Sequence, residues 1–440
     1  MEEFRSIFQA LVEAIGNTYS GHFTVDLRAE QSHFCRFNGG RVRQNGRVKD
    51  GEVRLQLIDQ ERQISAQFPF TPIHERNLAI ALAQLAQLRA DLTNLAPSPY
   101  VIVPQDQGST TREIKADLPP GDQVIEWILE PDLDFCGYYG AGAIAQAHGN
   151  SAGQFHWFST ENFILDYSIF AGGNYKERAV KANYSDRLWE HQQYMHQIDQ
   201  AQAQLQKLTL PLHRLAPGEY RAYLAPAAIA EIIHLMARGA SEAALQQKHS
   251  PLLPLQADKN LSPRFNLQEN FDLGYVPQFN RQGEVSRSIL PIIGSGKLVN
   301  TLVSGASALE YGRAANGADE SEVWRSPQVL PGRLLENEVL AALGTGLYLS
   351  NLHYLNWSDL PTGRFTGMTR YACFWVEGGE IVAPIANLRF DDSIYRCFGD
   401  HLIDLTTTAR FVPDVSTYGR RALGGVETPG ILVEKLRFTL

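Results

Sequence analysis

Glu231 and His234 are a carboxylate and an imidazole inside one apolar stretch that runs from Pro226 to Gly239. Three residues apart on a helix, a carboxylate and an imidazole can meet on its surface. A zinc-peptidase helix needs more than this. It needs two histidines one turn apart to hold the metal, with a glutamate beside the first as general base. Here Leu235 follows His234, and Arg238 stands four residues on. Leucine cannot move a proton and arginine does not ligate a metal. The stretch has the outline of a metal helix without the ligands. The plainer reading is a partly buried histidine paired with Glu231 or a backbone group.

The spacing predicts a helix over 226–239. Proline suits a first turn, where its missing N–H has no partner to lose. Ile229, Ile232, Ile233 and Met236 recur at helical spacing on one face, and Gly239 is the expected stop. Before it, Glu219–Leu224 reads as a strand. The segment Leu210–Gly218, broken by Pro211, Pro217 and Gly218, reads as a domain boundary. We therefore expect two domains, 1–210 and 211–440, in an α+β fold: an N-terminal α/β domain, then a β-rich C-terminal one.

The N-terminal half predicts an amphipathic helix over 2–16 closed by Gly16. Strands separated by turns at Asn38-Gly39-Gly40, Asn45-Gly46 and Asp50-Gly51 follow. A second helix opens after Pro72, and 96–122 reads as a surface loop. The glycines of Tyr138–Ala145 and Gly149–Gly153 lack the Lys-Ser/Thr ending of a phosphate loop, so hairpin turns are the better account. Ser185 is placed to cap a helix reaching about Lys207; its His191 and His196 are five apart, off any common face, and read as solvated. In the C-terminal half, Gly294-Ser-Gly296 and Glu377-Gly-Gly-Glu380 read as hairpin turns, and 334–343 as a short helix.

Composition limits the partners. The chain has 440 residues, 44% hydrophobic and 20% charged, with a formal charge of -9. That is ordinary for a soluble globular protein, and the acidic balance gives no support to direct nucleic-acid or anionic-membrane binding. Cys35, Cys136, Cys373 and Cys397 lie far apart with no C-x-x-C pair, as expected of reduced thiols. No signal peptide or membrane-length apolar run is visible. The expected location is the cytoplasm.

Read together, four stretches resemble the TldD/PmbA (TldD/TldE) family. They are Pro217–Pro226 leading into the Glu231–His234 helix, Gly294–Leu302, Thr345–Leu352 with Pro361–Gly367, and Phe374–Ile385. Each is weak alone; their order and spacing make the resemblance specific. It implies an N-terminal α/β domain, a β-rich C-terminal domain and dimers. TldD-type subunits carry His-Glu-x-x-x-His on the matching helix and a later cysteine as zinc ligands. Only His234 matches. Leu235 holds the glutamate position and Gly239 that of the second histidine, while Leu360–Gly367, where the resemblance places the cysteine, has none. Cys373 lies beyond it in a predicted strand and reads as a core residue.

The resemblance therefore implies a PmbA/TldE-like member. No catalytic or metal-ligating residue is expected in this chain, and zinc is expected on a TldD-like partner subunit. Such a pair would cleave unfolded or extended peptides, held by strand addition to a sheet edge. Candidate peptide-cleft residues are Glu231, His234, His353, Trp357 and Arg364. A hydrolase with a non-standard site drawn from the 12 histidines is an alternative, although no Gly-x-Ser-x-Gly elbow is present. A homodimeric peptide-binding scaffold is another. The family's older description as a modulator of DNA gyrase implies at most an indirect link to DNA.

Overall fold

The computed structural model describes residues 1–175, 177–257 and 259–439. Its architecture is α+β, with a mixed α/β N-terminal region and a β-rich C-terminal region. The N-terminal sheet is built from β1 (His22–Phe37), β2 (Val42–Asp59), β3 (Arg62–Phe70), β4 (Thr110–Ile114), β5 (Phe135–Asn150), β6 (Phe155–Phe170) and β7 (Ala179–Asp186), in the order β3-β2-β1-β5-β6-β4, with β7 also on β6. Helices α1 (Glu2–Thr18), α2 (His74–Leu92), α3 (Gly121–Leu129) and α4 (His191–Leu208) complete this half.

The alternation along β1 sets the layering. Side chains on a strand point alternately to opposite faces. Val25, Leu27 and Ala29 are buried with Phe4, Phe8, Leu85 and Leu88 of α1 and α2. Asp26, Arg28 and Glu30 point the other way. In register with them across the sheet stand His148 and Gln146, and beyond these His156 and Phe158. One face of the sheet is thus covered by helices, while the polar face meets the C-terminal region.

The C-terminal region holds two sheets. The larger runs Asn351–Asp359, Arg364–Arg370, Arg389–Ser393, Ile431–Phe438, β8 (Gly218–Leu224), Gly346–Leu349, Phe374–Glu377 and Glu380–Pro384, with Leu402–Leu405 also on Ile431–Phe438. The smaller runs Lys297–Leu298, Ile289–Gly294, Leu267–Asn270, Pro327–Val329, Gly425–Thr428 and Arg410–Pro413. Helix α5 (Pro226–Leu235) buries Ile229, Ile232 and Ile233 in the core shared by these sheets.

Several expected turns are absent for packing reasons. Asn45-Gly46 and Asp50-Gly51 lie inside β2, which runs unbroken for 18 residues. Gly46 sits opposite Phe34, whose ring would stand 3.0 Å from an added Cβ, and Gly51 lies equally close to Phe70. These glycines make room for cross-strand aromatics rather than reversing the chain. Gly140 and Gly142 likewise lie within β5, whereas Ser151–Gly153 does form the turn from β5 into β6. The 96–122 segment contains β4, which pairs in parallel with β6. Ser185 belongs to β7, and α4 starts only at His191, whose Nε2 lies 3.2 Å from Glu130 rather than being merely solvated.

Helix α5 ends at Leu235, four residues short of Gly239. The Met236 N–H still donates to Ile232 O at 3.0 Å, but the Ala237 N–H donates to His234 O at 3.1 Å and the Gly239 N–H to Met236 O at 2.6 Å, so the bonding tightens to three-residue spacing past Leu235. The Trp324 N–H donates to Ala237 O at 3.2 Å, and the Ser250 hydroxyl donates to Gly239 O at 2.6 Å. The carbonyls left beyond the tightened turn thus find tertiary donors.

Candidate functional site

A cavity of about 410 Å³ opens between the polar face of the N-terminal sheet and the C-terminal region. Asp26 and Arg28 of β1 form one wall and His234 at the end of α5 another. The Pro277–Arg281 turn, Trp324 and the Asp414–Leu423 loop close the rest.

His234 presents its imidazole to this cavity. Much of its surface is accessible, yet protein surrounds it on most sides, since what it sees is the enclosed space. Burial pushes its pKa down, and the Asp414 carboxylate pulls it back up. Glu231 lies on the same non-core side of α5, and desolvation raises its pKa. Among the described residues the two share no hydrogen bond, and Glu231 does not line the cavity.

The other candidates from sequence lie elsewhere. His353 and Trp357 are on Asn351–Asp359, the outermost strand of the larger sheet, and Arg364 starts its neighbour. His353 is exposed with its ring 4.0 Å from that of Tyr354. Trp357 is half-buried against the C-terminal core. Arg364 is engaged by Asp391 at 2.7 Å, which raises its pKa further. Of the five residues, only His234 reaches the cavity.

Zinc does not fit this site. Among the described residues no three His, Cys, Asp or Glu side chains are grouped to hold a metal ion. Leu235 is packed against the core, and Gly239 has left the helix. A Cβ at 239 would meet Met236 O at 2.9 Å and Leu252 Cγ at 3.1 Å, so a second histidine has no room there. Leu360–Gly367 lies at the strand hairpin, and the segment that faces His234 is instead the loop carrying Asp414. Cys373 is buried in the core, its thiol donating to Arg370 O at 3.2 Å.

Apart from His234, the residues that shape the cavity were not among those expected. His148 is fully buried, and its Nδ1 stands 2.9 Å from Asp26 Oδ1. Asn150 Nδ2 is 3.2 Å from His148 Nε2 and also donates to Gln154 Oε1 at 2.6 Å. This chain fixes the Asp26 carboxylate at the cavity edge. Two arginines anchor the walls. Arg421 is 4% exposed and donates to the carbonyls of Gly140, Gly142 and Asn162, bringing its loop onto β5 and β6. Arg325 donates to Phe279 O and to the Ser286 hydroxyl, both at 2.8 Å, and so holds the Pro277–Arg281 turn. A charged Asp26–Arg28 pair in an otherwise apolar alternation, and the Arg420-Arg421 doublet in a glycine-rich loop, were the available sequence signals.

His156 adds a pH dependence beneath this wall. It is fully buried, stacked on Phe279 with centroids 5.1 Å apart, and its Nδ1 accepts the Thr110 N–H at 3.2 Å. Burial, reinforced by His148 and partly offset by the Gly283 backbone, pushes its pKa down from 6.5 to about 4. The unfolded chain therefore binds this proton first. Stability present above pH 6.5 should fall as pH drops toward 4, by up to about 3 kcal/mol. Urea titrations across that window should lose this slope in His156→Gln; an unchanged slope would remove His156 as its source.

Comparison with known proteins places the chain. Residues 217–440 match the family model described as the PmbA/TldA metallopeptidase C-terminal domain. The chain belongs to the TldD/PmbA family. No curated protein matches it. Among solved structures it is similar to TldE from Thermococcus kodakarensis, at 13% identity with a TM-score of 0.78, over 99% of this chain and 100% of that one. A candidate modulator of a DNA gyrase from Thermotoga maritima MSB8 aligns at 13% identity and TM-score 0.76, over 99% and 100%. Another, from Bacteroides thetaiotaomicron VPI-5482, aligns at 15% identity and TM-score 0.78, over 100% and 99%. At these identities the likeness is one of fold.

Proposed function

We propose that this chain is the non-catalytic, TldE-like subunit of a heterodimeric zinc peptidase, and that it completes a peptide-binding cavity for a TldD-like zinc-bearing partner. The observation that carries the reading is the helix end at His234. The chain belongs to a metallopeptidase family, yet among the described residues one imidazole faces the cavity with no metal-ligand group around it, and the carboxylate that acts on it, Asp414, comes from a distant loop rather than from the helix. A single imidazole cannot hold zinc tightly, and no carboxylate neighbours it in sequence to activate water. Unfolded or extended peptides are the substrate class we favour. Asn351–Asp359, with His353 and Tyr354 exposed, is a terminal strand of the larger sheet, the kind of edge to which an extended peptide can add.

Elemental mass spectrometry on tag-free protein, purified without chelator, should find zinc far below one equivalent per chain. Casein should remain intact with this chain alone. It should be cleaved once a zinc-bearing family member is added, and more slowly by that relative without this chain. One equivalent of zinc together with cleavage by the isolated chain would overturn the reading, as would full activity of the zinc relative by itself.

A further inference from the structure

Arg28 and Arg281 reach the same cavity from opposite halves of the molecule, one from β1 and one from the turn after Phe279. Neither makes an ion pair or hydrogen bond among the described residues. The carboxylates nearest them are otherwise engaged. Asp26 is held by His148 at 2.9 Å, and Glu52, opposite Arg28 in strand register, lies 3.8 Å from Arg420. Across the cavity, Asp414 acts on His234 and Asp319 on Arg325.

Arg28 is accessible from the cavity, with protein and other charges around it. Its pKa is lowered, first by burial and then by the like charge of Arg281; Asp26 and Glu52 oppose this and Arg420 adds to it. Two guanidiniums that line one cavity and act on each other as like charges favour an oxyanion between them, because each presents a planar fork that matches carboxylate geometry. The space beside them is lined by Val276, Pro277, Phe279 and Trp324. A bare inorganic anion would leave that wall unused. A volume of about 410 Å³ suits a small ligand or the end of a peptide.

We propose that this cavity binds a carboxylate carried on an apolar or aromatic body, as at the C-terminal residue of a peptide, with Arg28 and Arg281 gripping the carboxylate. The site lies within this one chain and does not depend on the partner-subunit reading.

Calorimetric titration of the full chain tests it with three probes: N-acetylphenylalanine, its C-terminal amide, and inorganic phosphate. The acid should bind saturably, and the amide about tenfold or more weakly, as the loss of one charged hydrogen-bonding group predicts. Arg28→Gln and Arg281→Gln should each weaken the acid by about the same factor while leaving the amide unaffected. Equal binding of acid and amide, or no binding of the acid, would overturn the proposal. Phosphate binding as tightly as the acid would overturn the peptide-carboxylate assignment in favour of a free oxyanion. Should either variant fail to fold, the acid–amide comparison on the unaltered chain still decides.

Discussion

Replacing Arg421 with methionine is expected to lower the unfolding free energy by about 3–5 kcal/mol, the range seen when one partner of a buried charged network is removed. Its Nη1 and Nη2 serve the carbonyls of Gly140, Gly142 and Asn162 and the Asn162 side chain, at 2.8 to 3.1 Å. Methionine fills much of the volume but supplies no donor to any of these acceptors, and lost hydrogen bonds from a charged group cost about 1.5–3 kcal/mol each at most. The Arg421 N–H still reaches Glu30 at 2.9 Å, so the backbone anchor survives in part. Lysine should not rescue, because a single ammonium cannot span acceptors on both β5 and β6. The midpoint in urea would report the loss. Trypsin would report its location: Arg420, now tied to Asp50 at 2.9 Å, should become a cleavage site as the 414–424 loop lifts. A midpoint within about 0.5 kcal/mol of the parent, as for a surface change, would mean that other contacts hold the loop.

Local pattern was legible in the sequence where one element decides its own fate. The apolar spacing of α5 and its proline start gave the helix, and Glu377-Gly-Gly-Glu380 gave the hairpin it predicts. The end of α5 was not legible, since the chain beyond Leu235 tightens into turns whose carbonyls, at Ala237 and Gly239, are met by Trp324 and Ser250 from distant segments. Glycines misled for a related reason. Gly46 and Gly51 look like turn residues, but each lies under an aromatic ring on a neighbouring strand. The missing zinc ligands could be read directly, because Leu235 and Gly239 are chemically unable to serve. The cavity could not. Asp26 and Arg28 look like the solvated side of a strand until the C-terminal region is laid over them, and His353, Trp357 and Arg364 carry suitable chemistry on a hairpin outside the cavity.

Arg325→Met should also be strongly destabilising, by about 3 kcal/mol from its lost charged hydrogen bonds, and here the pH dependence identifies the mechanism. The guanidinium reaches Phe279 O, Ser286 Oγ and Gly317 O and lies 4.7 Å over the Phe271 ring. It also neutralises Glu269, a carboxylate 3% exposed that accepts the backbone N–H groups of Arg325 and Ser326. Burial raises the Glu269 pKa, and the charge of Arg325 is the first influence that lowers it. Without the arginine that pKa rises further. The folded variant then holds a proton that the unfolded chain releases above its ordinary carboxylate range, so stability is lost as pH increases and regained as it falls. The destabilisation should therefore be larger at pH 8 than at pH 5. Adding Glu269→Gln should recover part of it at pH 8 and flatten the dependence, because a neutral amide needs no counter-charge. A loss equal at both pH values would mean that the hydrogen bonds to the 277–286 turn, rather than the buried charge, are what Arg325 contributes.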